Sequence, residues 1–295
     1  MVRAVMARAT DPAPLRRHFD RSAAWFFRAP RAVHTWQDAG ASGLWIQSGT
    51  PAVRRVILYF HGGGYICGSA KTHTKLIARL SRMSGIRAYA PDYRLAPEHP
   101  MPAALQDAED AWNYLISKGY LPSDIVLGGD SAGGGLALLL LSRLCQRGTP
   151  PAMVFGWSPF CDMTFSGASV VENGKKDHFF PGDRVHVLGE MILAQGDPSD
   201  PQVSPLFAQF PECPPVLLQV SDSEIMRDDS YRMADKLREF DARIDLQTWQ
   251  DAPHVWQMFD GWFPEARAAI GQTSEWINAR FSGQAIADRL RDMGA

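Results

Sequence analysis

The chain has 295 residues, of which 45% are hydrophobic, and its formal net charge at pH 7 is −2. This length is sufficient for one large α/β domain with a substantial core. The near-neutral charge balance gives no electrostatic basis for binding nucleic acid, and no apolar run approaches the roughly 20 residues that a membrane-spanning helix needs. The N-terminal segment contains arginines but lacks the apolar stretch of a signal peptide, so we expect a cytoplasmic protein without a membrane partner.

Metal and disulfide chemistry find little support in the sequence. The cysteines are scattered without C-x-x-C spacing, at Cys67, Cys145, Cys161 and Cys213. We interpret them as buried thiols in a reducing compartment. There is no H-E-x-x-H motif and no close cluster of His and Cys with metal-ligand spacing, so we expect neither a metal nor another cofactor.

Secondary-structure signals alternate along most of the chain. Residues 1 to about 40 have helical character and carry several aromatic side chains. Short runs rich in β-forming residues predict strands at 43–47, 56–60, 86–90, 124–127, 153–157, 216–220 and 244–249. Segments of helical length predict helices at 72–83, 103–117, from 132 onward, 228–240 and 265–281. This alternation indicates an α/β fold with a mostly parallel central sheet flanked by helices, interrupted between about 160 and 210 by an insertion with one or two helices.

The segment Gly129-Asp130-Ser131-Ala132-Gly133 has the pattern G-x-S-x-G. It follows a predicted strand and precedes an apolar helical segment, which is the strand–turn–helix context of a nucleophile elbow. Such a turn projects the serine hydroxyl away from the backbone, and it needs small neighbours because its backbone is tightly packed. A structural glycine turn is the alternative when the motif is taken alone. The context makes Ser131 the candidate nucleophile.

A second glycine-rich loop, His61-Gly62-Gly63-Gly64, follows the apolar run at 56–60. Loops of this kind supply backbone N–H groups to the oxyanion hole of lipases and esterases, where donors positioned before the reaction stabilise the developing negative charge. A phosphate-binding loop is the alternative, but Ser69 occupies the position where a P-loop has its lysine. Cys67 lies near this loop, so it is the cysteine that we expect close to the reacting groups.

A general base is expected after the last predicted strand. In open α/β sheets ligands meet the carboxyl ends of the strands, and a nucleophile elbow is followed along the chain by the acid and then the histidine. His254 lies in a loop after the strand at 244–249, whereas His178 and His186 fall within the insertion. We therefore predict His254 as the base.

The acid partner of this histidine is expected in the loop after the strand at 216–220. Four carboxylates compete there, at Asp222, Glu224, Asp228 and Asp229. Asp228 and Asp229 lie where the next helix begins, and negative charge there suits the helix dipole. Asp222 follows the strand closely and could brace the loop. We favour Glu224, which lies deeper in the loop, although any of these carboxylates can chemically accept the histidine Nδ1–H bond.

With these motifs in place, the chain resembles the hormone-sensitive-lipase family of α/β-hydrolases, also called family IV esterases. The matching residues occur in the family order between about residue 56 and residue 260: His61-Gly62-Gly63-Gly64-Tyr65, Asp92-Tyr93-Arg94-Leu95-Ala96-Pro97-Glu98, Pro102-Ala103-Ala104, Gly129-Asp130-Ser131-Ala132-Gly133-Gly134, Ser158-Pro159, Ser221-Asp222-Ser223-Glu224-Ile225 and Pro253-His254-Val255. The first 40 residues match the family only in length and helical character.

The resemblance implies an α/β-hydrolase fold with a helical cap, and it implies roles for particular residues. Those matching the catalytic triad are Ser131, Glu224 and His254. Those whose backbone N–H groups match the oxyanion donors are Gly63, Gly64 and Ala132. The family often has an aspartate as the acid, in an Asp-Pro-Leu motif, where this chain has Glu224-Ile225-Met226.

We divide the chain accordingly into four parts. They are an N-terminal helical part of the cap (1–40), a hydrolase core (41–159), a cap insertion (160–210) and a second part of the core (211–295). The predicted function is a serine carboxylesterase that hydrolyses short-chain acyl esters through an acyl-enzyme intermediate, with a homodimer as one open possibility for its assembly. The alternatives are an arylformamide or carbamate hydrolase with the same triad, and a non-catalytic ligand-binding protein on the same fold, against which an intact His254 argues.

A preference for short acyl chains is expected from the position of the apolar residues. The glycine-rich loop continues into Tyr65 and Ile66, opposite a cap that carries Phe26, Phe27, Phe179, Phe180 and Met191. Such a cap would roof a pocket of finite length, in which each buried methylene contributes at most about 0.8 kcal/mol. In the alternative interpretation these aromatic residues only pack the cap onto the core and leave an open groove.

Overall fold

The computed structural model describes residues 12–26, 28–51 and 54–293, with the backbone alone at 24–26 and 284–293. Within these residues one sheet contains the strands β1 Val33–Trp36, β2 Gly43–Ser48, β3 Val56–Phe60, β4 Arg87–Pro91, β5 Ile125–Asp130, β6 Met153–Trp157, β7 Val216–Ser221 and β8 Ile244–Trp249. Their order across the sheet is β1-β2-β4-β3-β5-β6-β7-β8. β2 runs antiparallel to β1 and to β4, and the strands from β4 across to β8 are parallel. The α/β fold with a mostly parallel sheet is therefore confirmed.

Helices cover both faces of this sheet. Their bounds are α1 Pro12–Phe26, α2 Ala70–Ser84, α3 Ala103–Ser117, α4 Ala132–Gln146, α5 Ser169–Glu172, α6 Val185–Leu193, α7 Arg227–Arg238 and α8 Pro264–Met293. α2 and α8 pack together over one face, and α3, α4 and α7 pack over the other. β3, β5, β6 and β7 are buried along their whole length. Strands that are covered on both faces consist of continuous apolar runs, which is why they were recognisable in the sequence.

Two elements differ from the sequence prediction. Residues 33–36, expected to be part of a helical segment, form β1, because Val33 and Thr35 are β-branched and Trp36 stacks on its cross-strand partner Trp45 at 5.7 Å between ring centroids. The last helix does not end near residue 281 but continues to Met293. Residues 284–293 contain strong helix formers and no proline, and Gly283 alone costs only about 1 kcal/mol in a helix.

The loops that follow the parallel strands meet at one edge of the sheet. The glycine-rich loop follows β3, Ser131 follows β5, and His254 comes after β8. The insertion between β6 and β7 contains α5 and α6, as expected from the break in the alternation, whereas the division into cap and core stays a prediction. Over the described part of the chain, no helix is both long enough and apolar enough to cross a bilayer.

Candidate active site

Ser131 lies in the sharp turn between β5 and α4. Its backbone has φ 52° and ψ −122°, a conformation that costs free energy for a residue with a Cβ and is characteristic of functional sites. The turn is so tight that a Cβ added at Gly133 would lie 2.1 Å from the carbonyl oxygen of Phe60. The Ser131 N–H donates to the carbonyl oxygen of Trp157 at 2.8 Å, which fixes the turn against β6. The strand–turn–helix arrangement expected from the motif is therefore present.

Three loops bring Ser131, His254 and Glu224 into one hydrogen-bonded chain. Ser131 Oγ lies 2.9 Å from His254 Nε2, and His254 Nδ1 lies 2.5 Å from Glu224 Oε2. In the neutral imidazole beside an ionised carboxylate, which can only accept hydrogen bonds, Nδ1 carries the proton and Nε2 accepts the serine hydroxyl. The three side chains are nearly inaccessible to solvent, with 6%, 6% and 1% of their surface exposed in the same order. This geometry is suited to activating a serine hydroxyl as a nucleophile.

The second carboxylate oxygen of Glu224, Oε1, accepts hydrogen bonds from residues beside the Ser131–His254–Glu224 chain. Oε1 accepts a hydrogen bond from the Ser158 hydroxyl at 2.8 Å and from the Ser221 N–H at 2.7 Å. Ser158 Oγ in turn accepts from the Val255 N–H at 3.3 Å, so it connects the acid to the loop of His254. These bonds leave Oε2 directed at the imidazole and fix the distance over which the pair interacts.

Two polar side chains of the insertion, Asn173 and Asp177, bond to the loop of Glu224. Asn173 Nδ2 donates to the backbone oxygens of Glu224 and Asp222 at 2.8 and 2.9 Å. Asp177 Oδ2 accepts from the Ile225 N–H at 2.9 Å, and its Oδ1 accepts from the N–H of Phe179 and Phe180. Asn173 and Asp177 are both 2% exposed. The acid loop is therefore braced from the side of the insertion.

The glycine-rich loop is tied to the segment of the nucleophile by Asp130, which directly precedes Ser131. Asp130 Oδ1 accepts from the Gly62 N–H at 3.1 Å and from the Tyr59 hydroxyl at 2.7 Å, and Oδ2 lies 3.4 Å from His73 Nε2. Burial opposes ionisation of Asp130, but the charge and hydrogen bond of His73, with the bond from Tyr59, outweigh it and lower the pKa of this carboxyl. The loop and the nucleophile therefore share one buried anchor.

Two glycines of this loop adopt backbone conformations that disfavour other residues. Gly63 has φ +123° and Gly64 has φ +62°, and both line the same cavity as Ser131. Ala132 is the first residue of α4, and N–H groups in the first turn of a helix have no intrahelical acceptor. Gly63 and Gly64 therefore share the cavity of Ser131, and the oxyanion hole of Gly63, Gly64 and Ala132 stays a prediction.

Comparison with known proteins agrees with this geometry. The family described as alpha/beta hydrolase fold matches residues 57–258. An esterase of Acinetobacter venetianus is 34% identical over 245 residues, which cover 82% of this chain and 80% of the relative. Esterase LipU of Mycobacterium tuberculosis is 33% identical over 244 residues, which cover 80% and 81%. The crystal structure of an esterase from the bacterial hormone-sensitive lipase family superposes with a TM-score of 0.88 at 34% identity, covering 93% of this chain and 94% of that one.

The chain belongs to the hormone-sensitive-lipase family of α/β-hydrolases. It is accordingly a carboxylic ester hydrolase, in agreement with the resemblance found in the sequence. Among the described residues of this family member, no three His, Cys, Asp or Glu side chains form a group that could hold a metal ion.

The other carboxylates near Glu224 have different partners. Asp222 Oδ1 accepts from the Asp251 N–H at 2.7 Å and so braces the loop before His254. Asp228 and Asp229 lie in the first turn of α7, as expected. Both carboxylates bond to the insertion: Asp228 Oδ2 accepts from the Ser169 N–H, and Asp229 Oδ2 accepts from the N–H of Cys161. Asp228 Oδ1 also accepts from Arg227 Nε of its own helix. None of these bonds is directed at His254.

The environment of His254 favours its protonated form. Burial by itself lowers the pKa of His254, but the charge and hydrogen bond of Glu224, with smaller contributions from Asp177 and Asp130, outweigh it and raise the pKa above its ordinary value of 6.5. Phe180 packs its ring edge-on against the imidazole, with 5.0 Å between ring centroids. His254 is therefore buried in a site where the Glu224 carboxylate interacts with it more strongly than it would in water.

A cavity of about 360 Å³ opens above Ser131 and His254. Its wall on the side of the last strand contains Met258 and Phe259. Its cover, which we call the roof, consists of the cavity-lining residues of α1 and of the insertion, namely Leu15, His18, Phe19, Ser22, Ala23, His178, Phe179, Phe180 and Leu188. The lining is mainly apolar, which suits the hydrocarbon part of an ester.

The residues predicted to shape this pocket are only partly in place. Ile66, Phe179 and Phe180 line the cavity. Tyr65 does not, because its side chain is fully buried in the core behind the loop. Met191 lines a separate neighbouring cavity of about 30 Å³. The side chain of Phe26 and all of Phe27 lie outside the described residues.

Sequence reasoning missed the residues that hold the acid loop. Ser158 belongs to a family motif but was given no role, and Asn173 and Asp177 lie in the irregular insertion, where no periodicity or motif marks them. Cys67, Cys145 and Cys161 are buried as predicted, whereas Cys213 is only partly buried. The four cysteines are free thiols, and Cys67 lines the cavity with its Sγ 3.2 Å from the Gly63 carbonyl oxygen. Burial raises the pKa of this thiol to about 12, so it is a poor nucleophile.

Proposed function

We propose that this hydrolase is a serine carboxylesterase that cleaves short-chain acyl esters through an acyl-enzyme intermediate. The observation that carries the proposal is the hydrogen-bonded chain from Ser131 through His254 to Glu224, at 2.9 and 2.5 Å, on the floor of an apolar cavity. The esterases to which the chain is similar support the reaction class. The intact base, bonded to the serine, argues against a protein that only binds ligands.

In the acylation step, Ser131 Oγ attacks the ester carbonyl carbon while its proton moves to His254 Nε2. The carbonyl oxygen becomes an oxyanion, which would accept hydrogen bonds from the backbone N–H groups of Gly63, Gly64 and Ala132. Glu224 stays ionised, keeps the imidazole oriented and stabilises the imidazolium. The imidazolium then donates its proton to the leaving alcohol as the C–O bond of the ester breaks.

Deacylation repeats this chemistry with water. His254 takes a proton from a water molecule, whose oxygen attacks the acyl carbon attached to Ser131. The second tetrahedral intermediate collapses when the imidazolium returns the proton to Ser131 Oγ. The net reaction adds one water across the ester bond and releases an acid and an alcohol, and it regenerates the enzyme.

The size of the cavity supports a preference for short acyl chains. Its volume of about 360 Å³ must hold both the acyl group and the alcohol, and it lies at the low end of ligand-binding cavities, which span roughly 300–1,000 Å³. Each methylene that fits contributes at most about 0.8 kcal/mol of burial. A methylene beyond the roof must displace Phe180 or Leu188 or remain in water, so added length ceases to help.

The test is a series of p-nitrophenyl esters from acetate to palmitate, with an emulsified triglyceride alongside. We expect kcat/KM to rise over the first few carbons and then to fall, and we expect a pre-steady-state burst of p-nitrophenol equal to the enzyme concentration. A maximum at long chains, or a jump in rate at the lipid–water interface, would contradict the short-chain proposal. Faster turnover of aryl formamides or carbamates than of every ester would favour the alternative substrates.

A further inference from the structure

α1 contributes five residues to the roof of the cavity. They recur with helical spacing on one face, at Leu15, His18, Phe19, Ser22 and Ala23. Leu15 is buried in the main core cluster, and Phe19 packs against that cluster and stacks on His73 at 5.8 Å between ring centroids. The position of α1 over the core therefore decides how far the cavity extends above Ser131.

One side chain of α1 makes a set of polar contacts with the core. Arg16 Nε donates to the carbonyl oxygen of Ile66 at 2.7 Å, and Nη2 donates to the carbonyl oxygen of Ala96 at 2.9 Å. Nη1 and Nη2 also donate to the two carboxylate oxygens of Glu98 at 2.8 and 2.6 Å. The planar guanidinium presents its donors in a fixed fork, so these bonds define its orientation as well as its position.

One acceptor of Arg16 belongs to the wall of the active-site cavity, and a second is bonded to the same loop. Ile66 lies two residues after Gly64 and lines the cavity itself. The Ala96 N–H donates to the Tyr65 carbonyl oxygen at 2.9 Å, so the two acceptor loops are joined to each other. Arg16 therefore connects the helix of the roof to the loop that is predicted to bind the oxyanion.

We infer that Arg16 is a positioning residue that sets the depth of the acyl pocket by holding α1 against the loop of Ile66. It does not contact the substrate; it acts through the roof residues of α1. The two carbonyl bonds are the anchor, because they lie in the partly buried interface, whereas the Glu98 side chain is 53% exposed and its ion pair is screened by solvent. The inference rests on the proposed esterase function and names the residue that limits the length of the acyl chain.

The decisive variant is Arg16→Met, which keeps the apolar stem of the side chain and removes every donor. Leu15 and Phe19 still pack on the core, so α1 stays attached but is less fixed. We expect KM for p-nitrophenyl butyrate to rise roughly tenfold with kcat within about twofold, because charge-assisted bonds are lost while the triad is untouched. The decanoate-to-butyrate ratio of kcat/KM should rise by a similar factor as the roof yields to longer chains.

Matched variants separate the anchor from nonspecific effects. Arg17→Met removes an exposed arginine of the same helix and should behave as the unmodified protein. Glu98→Gln leaves both carbonyl bonds in place and should change the decanoate-to-butyrate ratio less than twofold. Arg16→Lys keeps the charge but cannot reach both carbonyls, so it should resemble Arg16→Met. A Glu98→Gln effect as large as that of Arg16→Met would overturn the assignment of the anchor to the carbonyl bonds.

Hydrogen exchange supplies a readout that does not depend on activity. In Arg16→Met, the amides of residues 12–26 should exchange faster than in the unmodified protein, while those of β3 and β5 should keep their protection. An unchanged chain-length ratio together with unchanged exchange in α1 would refute the role of Arg16. If the unmodified protein hydrolyses no ester at all, the proposed function fails instead, and the exchange result still decides whether Arg16 holds the helix.

Discussion

Different kinds of contact hold the floor and the roof of the cavity in place. We call the floor Ser131 and His254 together with the carboxylates bonded beside them, Asp130 and Glu224. On the floor, Glu224 and Asp130 each accept two or more hydrogen bonds, and their side chains are no more than 1% exposed. In the roof, the side chains of Phe180 and Leu188 make apolar contacts, and the Phe180 N–H is bonded to Asp177. The helix α1 packs on the core through Leu15 and Phe19 and is bonded through Arg16, whose side chain is 28% exposed.

Because of this difference, the floor should control the rate of the reaction, whereas the roof should control which substrates fit. Hydrogen bonds from fixed N–H groups define atomic positions to within a fraction of an ångström, as nucleophilic attack and oxyanion stabilisation require. Apolar packing tolerates substitution when volume is approximately conserved. Changes on the floor should therefore decide whether esters are cleaved, and changes in the roof should decide which esters are cleaved.

The strongest test of the floor is Ser131→Ala. We expect kcat to fall by several powers of ten with little change in melting temperature, because triad members act as a unit. A serine-directed phosphonate should add once to the unmodified protein, on the peptide that contains Ser131. Labelling of a different serine, or near-normal turnover by the alanine variant, would show that the nucleophile is elsewhere.

The next largest effect is expected at the acid. Glu224→Gln should lower kcat by about 10²–10⁴-fold, since the amide cannot stabilise the imidazolium as a carboxylate does. Asp222→Asn is the matched control, because Asp222 lies in the same loop and faces Asp251 instead of the histidine. It should cost less than tenfold, so an effect in the reverse order would move the acid role away from Glu224.

The pH dependence follows from the raised pKa of His254. The base must be neutral to accept the proton of Ser131, so kcat/KM should rise as pH increases through the pKa of the free enzyme. The ascending limb should therefore lie above pH 6.5, the ordinary value for histidine. In Glu224→Gln the favourable charge is gone while the burial remains, and the limb should move to lower pH. A limb that stays in place would mean that the carboxylate does not control the base.

The roof is tested most directly by Phe180→Ala. Its aromatic ring covers the imidazole of His254 and lines the cavity, so its removal should deepen the pocket. We expect a fewfold loss of kcat/KM for butyrate and a gain for octanoate, in line with the burial of about 0.8 kcal/mol per methylene. A uniform loss over all chain lengths would assign Phe180 to support of the base and not to specificity.

Chelation should produce the smallest effect. Activity is expected to survive prolonged dialysis against a strong chelator, because the proposed mechanism moves protons only between Ser131, His254, water and the leaving group. Loss of activity with recovery on addition of zinc or calcium would contradict this prediction. The measurement is kcat for p-nitrophenyl butyrate before dialysis, after it and after each addition.

The same contrast between floor and roof explains what the sequence could predict. Ser131 and the loop of Gly63 lie in short motifs after continuous apolar strands. Both the fold and the position of these residues at the sheet edge could therefore be predicted from the sequence. Glu224 was favoured over Asp222 without a physical reason to exclude the latter, since the difference depends on which carboxylate is directed at the imidazole. Neither periodicity nor composition encodes that direction.

The contacts around the roof were harder to predict from the sequence, because they depend on packing between segments that are distant along the chain. Arg16 meets its carbonyl acceptors across 50 and 80 positions of the chain. Tyr65 was expected in the pocket wall, but its side chain is buried in the core behind the loop. Only the fold decides on which side of a loop such a residue lies.

The contacts of Asn173 and Asp177 have a consequence for engineering this enzyme. These two side chains reach from the insertion to the backbone of Glu224 and of Ile225, so the insertion is not an independent module. A chimera that takes the whole segment 160–210 from a relative with another substrate range would exchange the specificity and the brace of the acid together. A chimeric insertion should keep an amide side chain at position 173 and a carboxylate at position 177. A recombination breakpoint placed after Phe180 would preserve both residues.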